Sequence, residues 1–110
     1  MGVGFQLNLS SHDVLVAGWA KALSHPARIS ILRTLSQRRT CLCGEIVEEL
    51  PLAQSTVSQH LRALREAGLI SCESDGPRSC YCVDTDCLRR LRAGIDQLFD
   101  ELEGSSERDC

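Results

Sequence analysis

The chain has 110 residues and carries seven cysteines. Four of them come in two pairs with one residue between partners: Cys41 and Cys43, then Cys80 and Cys82. Thiolates bind soft metals and metalloids, and they also form disulfides or oxidise stepwise. An odd cysteine count with no visible signal peptide argues against a secreted disulfide framework. The expectation is therefore a reducing, cytoplasmic setting in which these side chains are thiols. A second set is polar. Ser55, Ser58, Gln59 and Arg62 recur at i, i+3, i+4, i+7, flanked by Gln54, Thr56 and His60. Gln pairs with adenine, Arg with guanine, and Ser or Thr with either, so such a face suits the reading of base edges. Periodicity alone equally allows a plain solvated face.

The elements around these residues decide between the two. Val57, Leu61 and Leu64 lie at i, i+4, i+7, which predicts an amphipathic helix from Gln54 stopped near Gly68. A shorter helix, Gly44 to Leu50, precedes it and ends at Pro51. Two helices with a tight turn make a helix-turn-helix unit, about 43–67. Two short strands, Leu69 to Glu73 and Arg78 to Val83, then flank the turn residues Ser74 to Pro77. This hairpin, about 69–83, is a wing, and Arg78 at its tip is placed to reach DNA. The wing is what favours the nucleic-acid reading of the polar face.

The rest of the chain frames this unit. Ser10 or Ser11 caps a first helix running to about Leu23, with Val14, Leu15, Gly18, Trp19, Ala22 and Leu23 as its apolar set. Pro26 opens a second helix carrying Ile29, Ile31, Leu32 and Leu35. A last helix, capped by Asp84 or Thr85, carries Leu88, Leu91, Ile95, Leu98 and Leu102 at alternating steps of three and four, a narrow stripe suited to pairing with another helix. The predicted fold is mainly α with a small β-hairpin wing: a winged helix-turn-helix with five helices in one domain, ordered over about 10–103. Net charge is −3, but residues 21–65 carry seven Lys or Arg against three Glu, while residues 84–110 carry four Arg against eight acids. A basic centre beside an acidic end suits a protein whose middle faces phosphate. No apolar run long enough to span a membrane exists, so no membrane partner is expected. No glycine-rich phosphate loop and no Cys paired with His and a carboxylate at a familiar spacing is present, so neither an enzyme nor an organic cofactor is expected.

The stretches AKALSHPARISILRTL, CLCGEIVEELPLAQSTVSQHLRALREAGLI and CYCVD resemble the ArsR-type (arsenic repressor) family of metal-sensing repressors over roughly residues 15–100. The most specific part is STVSQHLRALREAGLI. The resemblance implies a homodimer joined through its first and last helices. It also implies binding to an inverted-repeat operator that is released when an inducer binds. Cys41-Leu42-Cys43 matches the Cys-Val-Cys segment of the metal-sensing branch, but the third cysteine of the arsenic-binding version falls at Ile46 here. The family's usual Ser before Gln54 is Ala53. In winged helix folds the strand before the helix-turn-helix pairs with the second wing strand, which sets Thr40 to Leu42 beside Ser79 to Val83. With Tyr81 and Val83 facing the core, Cys80 and Cys82 face away, as do Cys41 and Cys43. Four sulfurs on one outer face then form the expected inducer site, for arsenite, antimonite or a soft divalent metal. The competing expectations are a thiol redox or persulfide sensor of the same fold, and a DNA binder with a structural zinc.

Overall fold

The computed structural model describes residues 10–37, 52–75 and 78–106. In chain order these form α1 (Ser11–Ala22), α2 (Pro26–Gln37), α3 (Gln54–Glu66), β1 (Ile70–Asp75), β2 (Arg78–Val83) and α4 (Thr85–Ser106). The expected short helix at Gly44 to Leu50 and the strand at Thr40 to Leu42 lie outside the described residues. The remaining four helices and the hairpin match the expected class. Among the described residues no helix is long and apolar enough to cross a membrane.

Local chemistry sets the boundaries. Ser10 caps α1, its hydroxyl accepting from the Asp13 amide at 3.1 Å. Pro26 starts α2, and the His25 ring caps it, Nδ1 accepting from the Ala27 amide at 3.0 Å. Ala53 gives α3 no side-chain cap, an omission worth about 1 kcal/mol. The far end of α3 is closed firmly. Gly68 has φ +85°, its amide donates to Arg65 O at 2.9 Å, and the Leu69 amide donates to Leu64 O at 3.0 Å. Those two bonds with a left-handed glycine make a Schellman motif, which turns the chain directly into β1. Asp84 caps α4, its carboxylate accepting from the Cys87 amide at 3.0 Å. The helix continues to Ser106, three residues beyond the expected order limit.

The hairpin is antiparallel, with Ile70 opposite Val83, Cys72 opposite Tyr81 and Asp75 opposite Arg78. Its base joins the core built from Trp19, Ile31, Leu35, Val57, Leu61, Leu64, Leu69 and Leu91, with Tyr81 and Val83 packed against it. α3 packs on α2 and on β1, β2 packs on α2, and α1 packs on α4. The α1–α4 approach is close at Gly94, where an added Cβ would stand 3.1 Å from Val16 Cγ2. Within one chain Val14 and Leu15 are exposed while Val16 is buried, Ile29 is exposed, and Leu102 of the last-helix stripe lies exposed with its neighbour Phe99. Six of the seven residues from Val14 to Ala20 are apolar, so sequence pattern could not choose which face of α1 turns inward; packing against Gly94 chooses Val16.

Candidate nucleic-acid interface

α3 separates its residues as a reading helix must. Val57 and Leu64 are fully buried and Leu61 nearly so. Ser55, Ser58, Gln59 and Arg62 are exposed along the opposite side, with Thr56 half-buried at the margin. Gln54 is the first residue of the helix, so its amide belongs to the unpaired N-terminal set that binds phosphate well. Arg62 meets Glu66 at 3.6 Å with both side chains largely exposed. Such a pair contributes little to stability, so Arg62 can exchange it for a base or a phosphate. Arg78 begins β2 opposite Asp75.

His60 is the exception among the sequence-derived DNA residues. It is 7% exposed and turns into the seam between α3 and α2. Its Nδ1 accepts from Arg28 Nε at 3.1 Å, and its ring lies 4.4 Å from that of His25. Burial first, then the neighbouring His25 ring and the Arg28 guanidinium, hold its pKa below the ordinary value. His60 is thus a packing residue. The sequence did carry the signal: positions 57, 60, 61 and 64 fall on one helical stripe. Arg28, on the other side of the seam, lies 32 residues away and had no local signature.

The sulfurs on β2 keep the expected alternation. Tyr81 and Val83 pack toward the core, so Cys80 and Cys82 occupy the other side of the strand. Two features differ from expectation. Cys80 is buried rather than open, and Cys80 and Cys82 are both disulfide-bonded, so neither presents a thiolate in this state. Cys41 and Cys43 lie outside the described residues. Cys72 and Cys87 are free thiols. Cys72 sits opposite Tyr81, and burial together with that thiol pushes the Tyr81 phenol up. Cys87 is buried with its sulfur 4.0 Å from Ala67 O, and burial, followed by the Asp84 carboxylate, raises its thiol pKa. Among the described residues no group of three or more His, Cys, Asp or Glu is placed to hold a metal ion.

Known proteins share this arrangement. A family model described as a helix-turn-helix domain matches residues 23–73. The HTH-type transcriptional regulator YgaV of Escherichia coli (strain K12) is 32% identical over 94 residues, which is 86% of this chain and 93% of that protein. Among solved structures, an ArsR-like transcriptional regulator from Rhodococcus sp. RHA1 superposes with TM-score 0.71 at 22% identity, over 86% of this chain and 88% of that one, a likeness of fold. Reduced HlyU from Vibrio cholerae N16961 superposes with TM-score 0.60 at 28% identity, over 73% and 84% of the two chains. With a helix-turn-helix reading face, a hairpin wing and these relatives, the chain belongs to the ArsR-type winged helix-turn-helix transcriptional regulators.

Proposed function

We propose that this regulator is a homodimeric repressor that grips an inverted-repeat operator with α3 and the wing, and lets go when the sulfurs of β2 change oxidation state. The observation that carries the reading is the disulfide state of Cys80 and Cys82, on the strand that returns from the wing and packs against α2. Each disulfide forms as two thiols give up two protons and two electrons; with a peroxide as oxidant, two waters leave. Covalent tension on β2 reaches the reading helix through α2, against which both pack. Dimerisation is supported by Val14 and Leu15 on α1 and Phe99 and Leu102 on α4, 44–58% exposed. Between the two helices lies a recess of about 380 Å³ whose walls are mainly Val16, Ala17, Ala20, Ile95 and Leu98, with His12, Asp13 and Glu101 also lining it. A second copy would cover this surface.

The test uses a duplex selected by the protein from a random-sequence library, titrated by fluorescence anisotropy. Reduced protein is expected to bind; peroxide should weaken binding at least tenfold, and dithiothreitol should restore it. Cys80→Ser and Cys82→Ser should bind but ignore peroxide. Equal affinity of the reduced and oxidised forms sinks the redox reading. A second reading is favoured by the placement of Cys80 and Cys82 two residues apart on one side of β2. Once reduced, they could join Cys41 and Cys43 in holding arsenite, antimonite or a soft divalent metal as inducer. Release of DNA from reduced, oxygen-free protein by arsenite alone would select that reading.

A further inference from the structure

The seam between α2 and α3 holds a group of side chains that base reading does not use. Arg28 stands at its centre. Its Nε donates to His60 Nδ1 at 3.1 Å, and its Nη1 donates to Lys21 O at 3.3 Å and Ala22 O at 3.4 Å. Those carbonyls belong to the last turn of α1, where helix acceptors lack intrahelical partners; Lys21 O also accepts from Ser24 Oγ at 2.7 Å. One guanidinium therefore ties α1, α2 and α3 together. The His25 ring leans on the His60 ring at 4.4 Å and 48°, while its own Nδ1 caps α2.

The hydrogen bond fixes the state of His60. A ring nitrogen that accepts carries no proton, so the ring is neutral with its proton on Nε2. That Nε2 is buried and meets no partner among the described residues. Protonating Nδ1 would remove the acceptor, set two donors against each other, and bury a second cation beside Arg28. The same geometry excludes a metal on Nε2, since ligation there would move the ring proton to Nδ1, against Arg28. Among the described residues, the charged and titratable groups facing His60 are Arg28 from α2 and His25 from the turn before it. Beyond Arg28, α1 presents the Lys21 and Ala22 carbonyls to its guanidinium, and Lys21 of α1 and Glu66 of α3 line the same recess as Arg28.

We propose that His60 is a positioning residue for DNA recognition: through Arg28 and His25 it seats the reading helix on α2, and it does so only as the neutral ring. It touches no base. It sets the angle at which Ser58, Gln59 and Arg62, its neighbours on the same helix, are offered. The sign of the pH effect follows. His60 titrates lower in the fold than its ordinary value of about 6.5. Its contribution to DNA binding is therefore complete while the folded ring is neutral, and is lost only as pH falls to the folded pKa, which lies below about 6.5. The ordinary effect of acid on a DNA binder is the reverse, since added positive charge strengthens phosphate binding.

The experiment measures affinity for the selected duplex at constant salt from pH 7.5 downward through the titration of the His60 ring, with far-UV circular dichroism at each pH. Wild type is expected to lose affinity at least threefold over the range in which that ring protonates, while still folded. His60→Gln, whose carbonyl can accept from Arg28 but cannot titrate, should bind within threefold of wild type at pH 7.5 and lose the acid-induced fall. His25→Asn, which keeps an α2 cap, should retain the fall. His60→Leu should bind at least fivefold more weakly at pH 7.5. Should that variant not fold, the His60→Gln profile and an NMR titration of the wild-type His60 ring decide. A His60→Gln protein with the wild-type fall, a fall abolished by His25→Asn alone, or a His60 ring signal that does not titrate along with affinity would each overturn the proposal. Because wild-type binding at pH 7.5 is measured in the same series, loss of DNA binding itself is distinguishable from loss of its pH dependence.

Discussion

Replacing Gly68 with Ala perturbs a single torsional requirement. At φ +85° an L-residue meets its own carbonyl neighbours, at about 1–2 kcal/mol. A steric addition is not expected, because the new Cβ would stand 3.6 Å from Cys87 Sγ, an ordinary contact distance. The unfolded chain also loses freedom when Ala replaces Gly, but at a positive-φ site the native-state strain outweighs that effect. The net expectation is a loss of about 1 kcal/mol, with the lowered Tm amounting to roughly 4–8 °C on the scale of a small domain. Gly68→Asn should lose less, since Asn tolerates the left-handed region. Trp19 is the only tryptophan, and its indole N–H donates to Ala67 O at 3.2 Å, one residue from the substitution. Urea unfolding followed by its fluorescence therefore reads the junction itself, at fixed protein concentration because association would add to stability. A Gly68→Ala protein as stable as wild type would rule out backbone strain at this position. So would Gly68→Asn proving as damaging as Gly68→Ala, since the strain argument ranks them.

Other substitutions test other links. Leu64→Ala removes a fully buried side chain from the centre of the core and should lower stability by about 2–5 kcal/mol in urea titrations. The double variant Gln59→Ala with Arg62→Ala alters two exposed residues and should leave urea stability within about 0.5 kcal/mol. Its affinity for the selected duplex should nonetheless fall at least tenfold; unchanged binding would remove these residues from the interface. Cys87, buried with a raised pKa, should be alkylated by iodoacetamide more slowly than the half-buried Cys72, read by peptide mass mapping of native protein.

Much of the frame was legible because its signals are local. The Ser10 cap, Pro26, Gly68 and the 57–61–64 stripe each state a boundary or a face within one helical turn or two. What escaped depends on contacts between distant segments. Val16 rather than Val14 is buried because Gly94, 78 positions along the chain, leaves room for it. His60 looked like a side chain for DNA because of its type and its neighbours, although its position lies on the buried stripe. The arrival of Arg28 from α2 gives its Nδ1 a partner there. The alternation along β2 was readable from period two, whereas the oxidation state of Cys80 and Cys82 is a property of sulfurs brought together by the fold.

Gly94 has a consequence beyond packing. In the proposed dimer, α1 and α4 form the hub between two reading helices. Paired helix-turn-helix units meet half-sites about one DNA turn apart, roughly 34–36 Å. The gap between α1 and α4 is held by a residue with no side chain, where an added Cβ would stand 3.1 Å from Val16 Cγ2. A substitution there would act as a shim at the hub. It would leave each reading face chemically intact and change the length of operator that the pair can span.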